Sequence, residues 1–334
     1  MTSIRDVARR AEVSTATVSH VLNVTRYVSP ELTQRVMAVV AEVNYQPDAV
    51  ARSLRRRETL TVGLLIPSLE IPFFASVAYY MERAAFERGY NLILCNSNWQ
   101  DDEERHLLQD LVARRVDGLI CISATMQPPD IFPVLEAGVP VVMFEREMAG
   151  LDLDAVGIDN RRGAYRATEH LLELGHQRIG IILGKRISTV SDDRLEGFCE
   201  AMGNAGLHAE PALRFRGDYL PETGRRAVDY FLGLPERPTA IFAFNDLMAI
   251  GVLQALAERC IRVPHEIAVL GFDGIPLTQY TIPALTTMCQ PLPEMGQMAV
   301  ELLLQRMRGV TEAARFVRLD PELIVRASTV SSLP

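Results

Sequence analysis

The chain has 334 residues, 48% of them hydrophobic and 23% charged, a composition that fills two or three packed domains and excludes a disordered polymer. No apolar run reaches the roughly 18–20 residues of a membrane span, and the start MTSIRDVARR carries no hydrophobic signal segment. Five scattered cysteines (Cys95, Cys121, Cys199, Cys260, Cys289), with no CxxC and no His pair at zinc spacing, exclude a disulfide scaffold and a sequence-local metal site and point to the reducing cytoplasm.

The net charge of −8 is unevenly spread. Residues 1–60 hold nine Arg against six Asp and Glu, whereas the remainder holds 25 basic and 36 acidic residues. A basic head on an acidic body suggests that the head alone meets a polyanion.

Within that head, Ile4, Val7, Ala8 and Ala11 recur at helical spacing, and Val18, Val21 and Leu22 repeat the pattern. Only Glu12–Val13–Ser14 separates the two helices, with Ser14 a natural N-cap. This is helix-turn-helix spacing, with 15–22 as the recognition helix. Thr15, Ala16 and His20 would then face base edges in the major groove. Ser14, Thr17, Ser19 and Asn23 are short polar residues suited to phosphates. The same small helices could instead form a dimerisation module. A third helix follows Ser29 and Pro30, with Leu32, Val36, Val39, Val40 and Val43 as its apolar stripe. After Pro47 comes DAVARSLRRRE (48–58), a short basic segment of helical composition.

From Leu60 the chain alternates strands and helices. Strand-like runs are TVGLLI (61–66), NLILC (91–95), DGLICI (117–122), PVVMF (140–144), RIGIIL (178–183), TAIFAF (239–244) and EIAVLGF (266–272). Amphipathic helices fall at 75–88, 103–114, 162–174, 193–204 and 246–259. This order predicts doubly wound parallel sheets, and the number of strands predicts two lobes. RFVRLDPELIVRASTV forms one last strand-like segment, and no leucine heptad follows it, so a dimer without an added tetramer-forming helix is expected. Enzyme signatures are missing: no GxGxxG after the first strand, no GxxxxGK[ST], no GxSxG, and a single lysine, Lys185. The acidic run Asp101–Glu104 fits a solvated helix start better than paired catalytic carboxylates.

IRDVARRAEVSTATVSHVLN followed by YQPDAVARSLR resembles the DNA-binding headpiece and hinge of the LacI/GalR family of bacterial regulators, and VSTATVSH is most similar to its purine-responsive branch. The resemblance continues through VGLLIPSLEIPFFASVAYYME, GIDNRRGAYRATEHLLELGHQRIGII, RLEGF, AIFAFNDLMAIGVLQAL and VPHEIAVLGFDGIPLTQYTIPALTTMCQPLPEMGQMA. These are similar to the family's effector-binding core, which shares its two-lobed fold with ribose-type periplasmic sugar-binding proteins. Glu12 departs from the Gly or Asn that the family favours in the turn.

The resemblance implies an all-α headpiece at 1–46 and a hinge at 47–59. It implies an α/β core at 60–334, with one lobe of about 60–159 and 291–319 and another of about 160–290 and 320–334. Residues 48–56 span only two helical turns, too few for a free helix. The hinge would therefore fold when paired with its dimer mate in the minor groove, with Leu54 wedged between base steps. Tyr45, Ala51, Arg52 and Arg55 join the DNA contacts. In the core, Phe73, Phe74, Glu145, Arg146, Ser188, Arg194, Tyr219, Asn245, Asp273 and Gln290 would surround a small effector, rings on its apolar face and polar groups on its hydroxyls. Ile71 stands where ribose binders carry Asn, and Glu145 where they carry Asp, which argues against ribose itself. Ser188 and Thr189 lie where a purine site would offer a cation.

The expected protein is thus a cytoplasmic, homodimeric, sequence-specific repressor of near-palindromic operator DNA, gated by a sugar-like effector, with no cofactor, metal or membrane partner. A corepressor-dependent regulator, an activator of the same fold, or a sugar-metabolising enzyme fused to a DNA-binding head are the alternatives.

Overall fold

The computed structural model describes residues 3–23, 26–45, 58–123, 125–185 and 189–330. Two compact units meet in the chain at Thr59–Leu60.

The first unit holds three helices: α1 (Ile4–Arg10), α2 (Thr15–Asn23) and α3 (Pro30–Glu42). Each start is capped by a serine hydroxyl that accepts an otherwise unpaired backbone N–H: Ser3 from Asp6 (3.3 Å), Ser14 from Thr17 (3.0 Å), Ser29 from Leu32 (3.4 Å). Val7, Ala11, Val18 and Val36 are wholly buried, so one residue or two from each helix, with the turn after α1, make the core. Glu12 has φ +50°, the left-handed conformation a turn this tight demands and for which Gly or Asn is usual.

The second unit contains two six-stranded sheets. The first has the order β11-β5-β4-β3-β1-β2, all parallel, from β1 (Thr61–Ile66), β2 (Asn91–Asn96), β3 (Gly118–Cys121), β4 (Val141–Phe144), β5 (Asp154–Ile158) and β11 (Phe316–Leu319). The second, from β6 (Ile179–Leu183), β7 (Arg214–Arg216), β8 (Ala240–Ala243), β9 (Ala268–Asp273), β10 (Thr286–Cys289) and β12 (Glu322–Ile324), has the order β12-β10-β9-β8-β6-β7. Only its edge strand β12 runs antiparallel. The central strands are buried along nearly their whole length, which is why they read as unbroken Val, Ile, Leu and Phe runs rather than alternating ones.

Helices cover both faces: α4 (Pro72–Phe86), α5 (Asp101–Ala113), α6 (Pro128–Glu136), α7 (Asn160–Glu173), α8 (Thr189–Asn204), α9 (Pro221–Leu232), α10 (Asp246–Glu258) and α11 (Leu292–Met307). The chain crosses between the sheets three times, after β5, after β10 and after β11. One strand was expected after residue 315. Two form, because Asp320–Pro321 turns the chain from the first sheet to the second. Strand β5 was not foreseen, since it carries a charge. That charge, Asp154, is buried and answered by Arg306 (2.7 Å) and by the backbone N–H of Arg315 (2.8 Å), which hold its carboxyl below its ordinary range despite burial.

Candidate functional site

At the start of α2, Ser14, Thr15 and Ala16 are exposed, while Thr17 and His20 are half-buried. Ser19 is buried at 8% exposure beside Val18. It lies on the packed side of the helix and has little surface to offer a phosphate. Tyr45 packs half-buried on the headpiece core, its N–H donating to the Val40 carbonyl at 3.0 Å. The Asn23 side chain and the hinge positions Ala51, Arg52, Leu54 and Arg55 lie outside the described residues, as does Ser188.

In the second unit, one cavity collects residues from both sheets. It holds about 580 Å³ of empty space, open solvent included. Parallel strands send all their C-terminal ends to one side, so the residues just beyond them converge. Pro67 follows β1, Trp99 follows β2, Ser123 follows β3, and Glu145 and Arg146 follow β4; from the second sheet come Tyr219 after β7, Asn245 after β8 and Asp273 at the end of β9. Phe73 and Phe74 at the start of α4, and Thr189 and Arg194 on α8, complete the wall. Ten described non-glycine residues have positive φ, and four of them line this cavity: Trp99 (+61°), Glu145 (+73°), Tyr219 (+74°) and Asp273 (+109°). Such strain costs roughly 1–3 kcal/mol per residue and gathers where function fixes side chains.

Arg194 is the hub of the polar half. Its Nε donates to Asn160 Oδ1 at 2.8 Å, its guanidinium also donates to the Phe244 carbonyl and, at 3.4 Å, to Asp273, and its plane lies 3.6 Å over the Phe272 ring. Burial pushes the Asp273 carboxyl up to about 7; the nearby Glu145 charge adds to this, and Arg194 only partly offsets it. Glu145 is itself raised by burial. Behind Asp273, Asp246 is raised far above the ordinary carboxyl range by burial and by Asp273, although it accepts Thr287 Oγ1 at 2.5 Å and Ile275 N at 2.8 Å. Asn245 caps α10 by accepting Met248 N at 2.9 Å and donates to the Tyr219 carbonyl at 3.0 Å, which fixes the Tyr219 turn. Arg146 spends its guanidinium on the Ser123 and Met126 carbonyls, each at 2.6 Å.

The apolar half is a chain of rings. Phe73 meets Phe74 edge-on at 5.2 Å, Phe74 meets Trp99 at 6.0 Å, and Trp99 stacks on Tyr219 at 5.9 Å and 17°. The Lys185 ammonium sits 4.3 Å from the Trp99 ring centre. Rings opposite buried charged groups suit a small ligand with C–H faces and hydroxyl edges.

The structure therefore brings together Phe73, Phe74, Glu145, Arg146, Arg194, Tyr219, Asn245 and Asp273. Gln290 is not on the cavity wall; it lies buried behind it, donating to Asp273 at 3.0 Å. Sequence reasoning missed Pro67, Trp99, Ser123 and Phe144 as wall residues; following every strand to its end would have found all four. It also missed Glu104 of α5, whose buried carboxyl is pushed up to about 7 and hydrogen-bonds the Ser123 hydroxyl. Among the described residues no cluster of His, Cys, Asp and Glu could hold a metal, and no helix is long and apolar enough to cross a membrane.

Residues 3–48 match the bacterial regulatory proteins of the lacI family, and residues 168–329 match a periplasmic binding protein-like domain. The chain is 40% identical over 331 residues to the HTH-type transcriptional repressor PurR of Proteus mirabilis, covering 98% of this chain and 97% of the relative. The chain belongs to the LacI family. Another LacI-type relative, the ribose operon repressor of Haemophilus influenzae, is 38% identical over 333 residues, with 99% of each chain covered. Among solved structures, the lac repressor dimer bound to operator and the anti-inducer ONPF superposes with a TM-score of 0.89 at 28% identity, covering 98% of this chain and 99% of that one. The complex of the regulator CelR with cellobiose gives 0.74 at 31% identity, covering 98% and 100%. As a LacI-family member the protein is a ligand-controlled, DNA-binding transcription repressor.

Proposed function

We propose that the protein is a cytoplasmic homodimeric repressor without enzyme activity, whose hold on a near-palindromic operator changes when a sugar-like molecule enters the cleft between the two sheets. Ser14, Thr15, Ala16, Thr17, His20 and Asn23 contact DNA from α2, with Thr15, Ala16 and His20 toward base edges. Tyr45 and the hinge residues Ala51, Arg52, Leu54 and Arg55 complete the contact, Leu54 as a minor-groove wedge. Phe73, Phe74, Glu145, Arg146, Ser188, Arg194, Tyr219, Asn245 and Asp273 form the effector site, with Gln290 positioning Asp273 from behind.

The observation that carries the effector assignment is the buried Arg194–Asp273 pair, with Asp273 held at φ +109°, in one cavity with a chain of four rings drawn from both lobes. A molecule in that cleft touches both lobes, so its binding energy depends on how they are set relative to each other. Differential contact of this kind is what a ligand needs to shift a conformational equilibrium. A coupling of about 1–3 kcal/mol changes DNA affinity 5- to 150-fold. The ribose operon repressor among the relatives and the cellobiose complex among the solved structures set the sugars to try first, and the headpiece's resemblance to the purine-responsive branch adds purines.

Thermal melting of the full chain against sugars, purines and nucleosides tests the assignment. A binder raises the melting temperature in proportion to the logarithm of its concentration, and Asp273→Ala abolishes that rise while leaving the melt cooperative. A rise that survives Asp273→Ala unchanged refutes the assignment.

A further inference from the structure

We infer that Glu145 makes the cleft selective for a ligand that meets it with hydrogen-bond donors and no negative charge: a free polyol or an amine-bearing molecule rather than its phosphate ester or carboxylate. This rests on the cleft being the effector site and adds to it a specificity-determining residue and a charge class.

One buried acceptor on the cavity wall, next to the Arg194–Asp273 pair, lacks a donor. Glu145 Oε1 has no hydrogen-bond partner among the described residues. Gln290, behind the wall, donates to Asp273 and also hydrogen-bonds the Glu145 carboxyl, so that Oε1 is the Glu145 oxygen left for a ligand. A buried acceptor left unpaired is costly, and a ligand hydroxyl or amine removes that cost whereas a phosphate or carboxylate oxygen cannot.

The cations that could welcome an anion are already engaged. Arg194 is held by Asn160, the Phe244 carbonyl and Asp273. Arg146 is held by two carbonyls. An anion would have to displace Asp273 from Arg194 and then face Glu145. Lys185 lies over the Trp99 ring and is not on the cavity wall.

A second cavity adjoins the first and shares Glu145, Arg146 and Thr189 with it. Its further wall carries Glu147, Asp159, Asp193 and Glu196. The arginines there are paired: Arg161 with Glu200 (2.8 Å) and Glu196 (3.8 Å), Arg318 with Glu147 (3.2 Å). Burial and the neighbouring Glu196, Asp192 and Asp159 raise the Asp193 carboxyl, as a group in an electronegative recess behaves. A recess lined by five carboxyl groups and three arginines, two of them paired to its own or neighbouring acids, disfavours anionic ligands before they reach the inner cavity. The Phe74, Trp99 and Tyr219 faces act in the same sense, since ring faces attract C–H groups and cations and repel anions.

The test uses matched probes on the full chain, by calorimetry and thermal melting: D-ribose with ribose 5-phosphate, D-glucose with D-glucosamine, glucuronate and glucose 6-phosphate, adenosine with AMP, and cellobiose. The expected result is that a neutral or amino compound binds and its phosphorylated or acidic counterpart binds at least tenfold more weakly. Glu145→Gln, which keeps the shape and removes the charge, narrows that gap. If glucosamine binds, it loses at least tenfold in the variant, which separates an amine at Glu145 from a hydroxyl. The wild-type comparison stands even if the variant fails to fold. Binding of an anionic member as tightly as its neutral counterpart overturns the charge assignment and leaves the cleft an effector site. Absence of binding by every probe overturns both.

Discussion

Trp99 and Tyr219 stack across the cleft with ring centres 5.9 Å apart and planes at 17°, one following a strand of the first sheet and the other a strand of the second. As Trp99 is the sole tryptophan, its fluorescence reports how the two lobes meet.

Tyr219→Ala exposes one face of Trp99. Its emission should shift to longer wavelength, and stability should fall by about 0.5–1.5 kcal/mol from the lost ring pair, in addition to the lost burial. Gly184→Ala should reproduce the shift without touching either ring, because a Cβ there lies 2.1 Å from the Tyr219 hydroxyl. An emission spectrum unchanged in both variants contradicts the stacked arrangement.

Stability should depend on pH through Asp273 and Glu104, whose carboxyls burial raises to about 7. The folded chain then holds more protons than the unfolded one between roughly pH 4 and 7, so these two groups make stability fall as pH rises through that window. His170 and His176, lowered by burial, act in the opposite sense near pH 6, so the difference between proteins is the informative quantity. Asp273→Asn and Glu104→Gln should each gain stability relative to wild type as pH goes from 5 to 8. A difference that stays flat removes the proposed titration.

Much of this was legible in the sequence because the groups announce themselves locally. The runs TVGLLI and RIGIIL are strands because nothing but a doubly covered sheet buries so many branched side chains in a row. Helix ends were harder: α8 was expected from 193 and begins at Thr189, so Thr189, placed at the site only by the resemblance, reaches the cavity wall from a helix, and Val190 joined it unannounced. What stayed hidden was whatever depends on a distant partner. Asp154 can sit in a strand only because Arg306 reaches it from α11. Trp99 is a wall residue only because the second sheet presents Tyr219 to it. Gln290 shares the neighbourhood of Asp273, yet the register of β10 beside β9 sets it behind the carboxylate and away from the cavity.

Helices α9 and α10 touch through glycines. A Cβ on Gly251 would lie 1.9 Å from the Pro221 carbonyl oxygen, and one on Gly224 would lie 2.0 Å from that of Met248. Backbone cannot yield as a side-chain tip can, so Gly251→Ala should cost about 1–3 kcal/mol or more by overpacking. Urea unfolding checks this; a neutral result would mean the helices are further apart.

In the headpiece, Ser14 supplies the only hydroxyl cap described for α2. Ser14→Ala should weaken the helix by about 1 kcal/mol. Hydrogen exchange of the α2 amides should speed up accordingly, by roughly fivefold, while exchange in the central strands β8 and β9 stays as it was. Unaltered protection in α2 would show that the cap contributes nothing.

The central claim is that occupancy of the cleft and grip on DNA are one coupled equilibrium. The direct measurement is fluorescence anisotropy of a duplex selected from random DNA by the full chain, titrated with protein in the presence and absence of a cleft ligand established by melting. The account predicts a 5- to 150-fold change in DNA affinity that disappears in Asp273→Ala. DNA affinity that is the same with the cleft filled and empty would contradict it.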